Sequence, residues 1–192
     1  SDLILIGLLI GAVVIFISNS SEALDGLRTL LAGPVEDGML GIGRVLYYAV
    51  PIIMTGLSVG FAFKTGLFNI GTPGQFIIGA FAAVYVGVKW TFLPGSIHWL
   101  VAILAAFAAG GLWAVIPGVM KAYLNVNEVI SSIMMNYIGM YLVNYSVSLV
   151  LFDALRNQSL PVATTAVIPK MGFDKIFTGS PANGGFVIAI LF

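Results

Sequence analysis

Two groups of side chains in this sequence could do chemistry, and both sit in apolar surroundings. The first is GLFNIGTPGQ, Gly66 to Gln75. Gly66 and Gly71 have the spacing of the glycines that cradle phosphate in a nucleotide-binding loop, but Thr72-Pro73 stands where that loop needs its Lys. Phosphate binding is therefore set aside, and hydrogen bonding remains. Asn69 and Gln75 each carry an amide with two donors and an acceptor, and Phe68 adds an aromatic face. The second group runs from Asn127 to Tyr145 and holds Glu128, Ser131, Ser132, Asn136 and Asn144, with Tyr137, Tyr141 and Tyr145 recurring every fourth residue. Amides, hydroxyls and rings with no clustered His, Asp or Glu suit contact with a small polar solute, and no catalytic residue is expected. The one His, His98, is read as a loop residue beside Trp99 without an acid or nucleophile to work with. One His and no Cys exclude a multi-histidine or thiolate metal site within the chain.

The elements that must position these groups are membrane spans. Residues are 59% hydrophobic and 8% charged, against roughly 25% charged in an average soluble domain. Mean hydropathy is +1.06, and too few charges are present to cover a soluble surface. Formal net charge is zero, so nothing points to nucleic acid. The fold class expected is an all-α, polytopic transmembrane helical bundle, a single transmembrane domain over 1–192, with spans near 3–18, 45–63, 74–88, 99–118 and 129–151 and an incomplete one at 184–192. The short first and last runs are read as truncation at both ends, since a span needs about 20 apolar residues. The polar segment 19–43, with Gly33-Pro34 as a breaker in its middle, could hold a short surface helix from Ser20 to Leu31. Residues 90–97 and the long polar stretch 152–183 are read as loops. Pro51 and Pro117 are expected to kink their spans.

The 74–88 run is short, so part of the Gly66 to Gln75 interruption must lie at membrane depth. Irregular backbone at that depth is tolerated only where protein buries it or where it lines a watery cavity. Gly66, Gly71, Pro73 and Gly74 are the break residues on this reading. For Asn136, interhelical hydrogen bonding and cavity lining remain equal alternatives. The tyrosine stripe reads as packing, with a stacking surface for a nucleobase or sugar as the rival. Glu128 reads as a helix N-terminal or interfacial charge rather than a proton relay. Small residues recur every fourth position at Gly79, Ala83 and Gly87, at Ala102, Ala106, Gly110, Ala114 and Gly118, at Gly56 and Gly60, and at Gly7 and Gly11, a pattern that lets helices approach backbone to backbone.

GLSVGFAFKTGLFNIGTPGQFIIGAF, Gly56 to Phe81, and VNEVISSIMMNYIGMYLVNY, Val126 to Tyr145, resemble the signature blocks of permease subunits of bacterial ABC importers in the nucleoside and simple-sugar branch, related to ribose and branched-chain amino-acid permeases. The sequence departs from that pattern at Pro73, where the family often has an acidic residue. The resemblance implies a multi-pass protein of the bacterial plasma membrane, surrounded by lipid bilayer. A second permease subunit would complete the pathway. Cytoplasmic ATPase subunits would carry ATP and Mg, with no cofactor in this chain, and an extracellular substrate-binding lipoprotein would deliver the solute. It also implies a cytoplasmic N-terminus, an extracellular 152–183 loop that could face the binding protein, and a coupling segment beyond Phe192. The basic residues run against that orientation, with Lys64 and Lys121 inside and Arg28, Arg44, Lys89, Arg156, Lys170 and Lys175 outside. In this picture Phe68, Asn69, Gln75, Asn136 and Tyr137 face the solute. An ion-coupled secondary transporter of a small polar solute is the alternative, because broken helices build midplane sites there too.

Overall fold

The computed structural model describes residues 2–191 apart from the side chains of Ile4 and Pro34. The chain forms eight helices among the described residues: α1 Asp2–Ser18, α2 Ala23–Glu36, α3 Met39–Lys64, α4 Thr72–Lys89, α5 Gly95–Leu124, α6 Glu128–Val150, α7 Phe173–Ile176 and α8 Gly185–Leu191. A two-stranded hairpin, β1 Phe152–Asp153 with β2 Gln158–Ser159, and a 3-10 turn at Thr164–Ala166 complete the list. The fold is all-α in its architecture, as expected from the long apolar runs. α3, α5 and α6 are long and apolar enough to cross a membrane. At about 1.5 Å per residue, each exceeds the ~30 Å hydrocarbon core. The incomplete span expected at 184–192 ends on Phe192, which lies outside the described residues.

Two compact units divide the chain: the segment up to Val50 together with Lys170 onward, and Pro51–Pro169. In the first, Gly26 of α2 faces Ile15 of α1, and Gly43 of α3 packs against Phe177 and Ser180. Phe173 stacks on Phe177 at 5.9 Å and meets Phe186 edge-on at 6.4 Å. The interruption expected at Gly33-Pro34 is absent. α2 continues to Glu36, because a proline near the end of a helix removes one donor without stopping the next turn from closing. Arg44 and Asp37 pair at 2.8 Å on the surface.

The second unit holds both groups of polar side chains. α4 is its centre, packed against α5 and α6, with Gly74, Gly79, Val86 and Gly87 buried. Its contact with α5 is backbone against backbone. A Cβ at Gly79 would stand 2.9 Å from the Ala106 carbonyl oxygen, and one at Gly110 would stand 3.1 Å from the Gln75 carbonyl oxygen. Ala102 of the same α5 stripe is 6% exposed. Small residues provide the approach that lipid-solvated helices lack a hydrophobic drive to make. Ala83 is half-buried on α4. A Cβ added at Gly7, Gly11, Gly56, Gly60 or Gly118 would meet nothing within 4 Å among the described residues.

α3 runs through Pro51 without a stop, and the Thr55 hydroxyl donates to the Pro51 carbonyl at 2.7 Å. Pro117 is likewise inside α5 and buried. His98, expected in a loop, lies in the first turn of α5, which begins at Gly95 behind an extended Pro94. Its ring is fully buried. Nε2 lies 3.1 Å from the Val86 carbonyl, which can only accept, so Nε2 carries a proton, and Nδ1 lies 2.8 Å from the Thr165 hydroxyl. The segment after β2 is thereby tied to the α4–α5 end, helped by Ala163 N–H donating to the Gly87 carbonyl at 2.9 Å.

Candidate functional site

The break between α3 and α4 is shorter than GLFNIGTPGQ and has a defined cause at each end. α3 ends at Lys64, and Gly66 turns the chain with φ +78°, a conformation that glycine adopts without strain. Asn69 Oδ1 accepts from Gly71 N–H at 2.8 Å, an Asx turn that bends the backbone towards α4. The helix resumes at Thr72, with Pro73 in its first turn, where a missing N–H costs nothing. Pro73, Gly74 and Gln75, expected within the break, therefore open α4.

Asn136 holds this arrangement from the side. Its Oδ1 accepts from Gly74 N–H at 2.9 Å, and its Nδ2 donates to the Ile70 carbonyl at 2.9 Å. One side-chain amide thus satisfies a donor and an acceptor that flank the helix start, groups that apolar surroundings would otherwise leave unpaired at about 1–3 kcal/mol each. Gly74 permits the approach, since a Cβ there would stand 2.8 Å from Asn136 Oδ1. Interhelical bonding is the structural role of Asn136.

Beside the break lies a cavity of about 420 Å³, within the usual range for small-ligand sites. α3 contributes Ser58 and Phe61, the break Thr65, Leu67 and Asn69, and α4 Gln75. α5 contributes Ala114, Pro117, Gly118 and Lys121, and α6 Glu128 and Ser132. Ser132 is 2% exposed, and its hydroxyl has no hydrogen-bond partner among the described residues. Gln75 Nε2 and Ser132 Oγ both lie 3.4 Å from where a Cβ on Gly71 would stand, so that glycine leaves room for the two polar groups. Lys121 Nζ and Glu128 Oε2 pair at 2.8 Å. The cavity's cation and anion thus neutralise each other, and its remaining polar groups are uncharged.

The α5–α6 turn sets that ion pair. Asn125 closes α5 in the left-handed region at φ 49°, and Asn127 caps α6 by accepting from Val129 N–H at 2.9 Å. Asn127, read from sequence as part of the polar face, is thus a cap. Of the residues expected to meet solute, Asn69 and Gln75 line the cavity. Phe68 does not; it packs edge-on against Phe63 at 4.9 Å. Asn136 is engaged with the break, and Tyr137 does not line the cavity and is 60% exposed. Ser58, Thr65 and Ser132 were missed as cavity residues: single hydroxyls carry no spacing signal, although Ser132 lies one helical turn before Asn136.

Comparison with known proteins bears on this site. Residues 41–192 match the family model described as branched-chain amino acid transport system / permease component. The chain is 39% identical over 188 residues to the guanosine ABC transporter permease protein NupP of Bacillus subtilis (strain 168), covering 98% of this chain and 53% of that protein. It is 33% identical over 157 residues to the glucose ABC transporter permease protein TsgB13 of Haloferax volcanii, covering 78% of this chain and 41% of that one. It is 27% identical over 193 residues to the nucleoside ABC transporter permease protein NupB of Lactococcus lactis subsp. cremoris (strain MG1363), covering 98% and 52%. The chain spans about half the length of the first and third of these relatives. No solved structure matches it significantly. With its apolar helices and these relatives it is an integral membrane protein, and it belongs to the branched-chain amino acid transport system / permease component family.

Proposed function

We propose that this chain is part of the transmembrane permease subunit of an ATP-binding-cassette importer and forms a translocation pathway for a nucleoside or related small polar solute such as a simple sugar. The observation that carries the reading is the 39% identity, across 98% of the chain, to a permease named for guanosine. A helix interrupted beside a cavity of about 420 Å³ supports it, because such breaks are stable at membrane depth only where protein or a watery site receives them.

In this reading Asn69, Gln75 and Ser132 offer hydrogen bonds to the solute, and the break at Gly66 and Gly71 is the hinge about which the cavity changes access. The subunit performs no chemistry of its own. ATP and Mg bind to separate cytoplasmic ATPase subunits, a second permease subunit completes the pathway, and an extracellular lipoprotein supplies solute. The protein resides in the bacterial plasma membrane with the 152–183 segment outside, as one transmembrane domain.

The test is uptake of radiolabelled guanosine by vesicles holding the full-length protein with its partner subunits. Uptake that requires ATP and persists without an ion gradient is expected. Uptake that survives ATP depletion but collapses with the ion gradient would instead identify a secondary transporter.

A further inference from the structure

α6 has a packed face and an outer face that is apolar in its first turns, where Ile130, Met134 and Ile138 are exposed, and polar in its later ones. Ser131, Ser132, Met135, Gly139 and Val143 are buried, and Gly139 lies against the Trp113 ring of α5. At about 3.6 residues per turn, Tyr137, Tyr141, Asn144 and Ser148 fall on the side away from that packed face, with Tyr145 at its edge. Exposure agrees. Tyr137, Tyr141 and Tyr145 are 60%, 67% and 64% exposed, and Asn144 and Ser148 are exposed as well. The expected packing of the tyrosine stripe is absent within this unit. Among the described residues, neither the three phenol hydroxyls nor the Asn144 amide has a hydrogen-bond partner; Ser148 donates to the Tyr145 carbonyl at 2.7 Å and keeps its oxygen free to accept.

Three occupants could lie against such a face, and its chemistry discriminates among them. Lipid fits poorly. Interfacial belts favour tyrosine near the ends of a span, yet Tyr137 and Tyr141 are each at least about 13 Å along the axis from both Glu128 and Val150. An amide turned to hydrocarbon is costlier still. A tightly packed helix also fits poorly, since close approach uses small residues, and Ser131, Ser132 and Gly139 of α6 lie on the opposite face. Water and solute fit the face. Aromatic planes alternate with an amide and a hydroxyl, and the stripe carries no Lys, Arg, Asp or Glu.

We propose that the outer face of α6, Tyr137, Tyr141, Asn144, Tyr145 and Ser148, is a wetted wall of the solute pathway, offering stacking planes and hydrogen bonds to an uncharged, ring-bearing solute. The inference rests on the importer reading and adds to it a second contact surface, separate from the cavity at the break. It predicts that the stripe is reached from water at mid-span, where lipid-facing neighbours on the same helix are not.

These 192 residues contain no Cys, so any background reaction comes from elsewhere in the full-length protein or its partners and is read from the unsubstituted complex. In the assembled complex, Tyr141→Cys, Asn144→Cys and Ser148→Cys are treated with a membrane-impermeant cationic methanethiosulfonate. Leu142→Cys and Leu149→Cys, 45% and 63% exposed and rotated to the flank, serve as controls. The stripe variants are expected to react at least about tenfold faster than the leucine variants, because a thiol in hydrocarbon does not ionise. Millimolar guanosine or glucose should slow them severalfold. Equal rates on both flanks, an unreactive stripe sealed by lipid or by a second subunit, or no slowing by either solute would overturn the proposal. Guanosine and glucose uptake by the unsubstituted complex separates the two failures: ATP-driven uptake of either with an unreactive stripe rejects this inference alone, and absent uptake of both rejects the importer reading.

Discussion

Asn136 Oδ1 accepts a hydrogen bond from the Gly74 amide at 2.9 Å, joining the middle of α6 to the first turn of α4. The same side chain donates to Ile70, so the start of α4 is defined from outside its own sequence. Asn136→Ala should leave both backbone groups unpaired and cost about 1–3 kcal/mol for each that water cannot reach. A lower thermal unfolding midpoint in detergent is the expected result, and an unchanged midpoint would show that the bonds contribute nothing net.

Gly79 and Gly56 should respond oppositely to the same change. An alanine methyl at Gly79 meets the Ala106 carbonyl at 2.9 Å, which forces α4 from α5 and should destabilise by about 1–3 kcal/mol. At Gly56 nothing lies within 4 Å, and Gly56→Ala should be neutral or stabilise by up to about 1 kcal/mol through helix propensity. Paired thermal melts check the contrast.

The cap on α6 is a single side chain. Asn127→Ala removes the acceptor for Val129 and Ile130 N–H and should cost about 0.5–2 kcal/mol, with Asn127→Ser or Asn127→Asp recovering most of it. Restored melting in those variants distinguishes a capping role from packing.

In the cavity, Gln75→Ala and Ser132→Ala should weaken solute binding more than folding. Loss of one hydrogen bond of about 1.4 kcal/mol corresponds to a tenfold rise in KM for guanosine uptake. A melting midpoint close to that of the parent should accompany it. Uptake kinetics unchanged in both variants would remove the cavity from the pathway.

His98→Ala should release the segment around Thr165. The ring's two contacts, to Val86 and Thr165, both disappear, and a void replaces a fully buried side chain. Limited proteolysis should then cut between Leu155 and Val167 faster than in the parent, with little change at α3.

Much of the scaffold is legible in the residues themselves. α3, α5 and α6 announce themselves as long runs with few charges, and Gly66 with Pro73 marks an interruption because glycine frees the backbone to take a positive φ and proline lacks an N–H. Pairing is less legible. Asn136 could bond a neighbouring helix or face solute, and only the fold supplies the Ile70 and Gly74 groups that choose between them. His98 follows a Pro94-Gly95 pair that reads as a turn, yet an extended Pro94 is also a helix entry, and helix and loop diverge there by one dihedral. The hairpin at Phe152 to Ser159 turns through Asn157 at φ 51°, a geometry that a polar stretch permits without advertising. The faces of α6 follow from helical periodicity, but which face is covered depends on Trp113 and Gly74, which lie on other helices.

The bond between Asn136 and Gly74 spans 62 positions of chain, and this separation has a consequence for biogenesis. α4 leaves the ribosome well before α6, so its first turn enters the bilayer without the amide that later secures it. The short irregular segment must be sheltered in the interval, by the insertion machinery or by water, and it matures only when α6 arrives. A nascent chain arrested before Glu128 should therefore keep the Ile70 to Gly74 backbone open to proteolysis, and one extended past Val150 should close it.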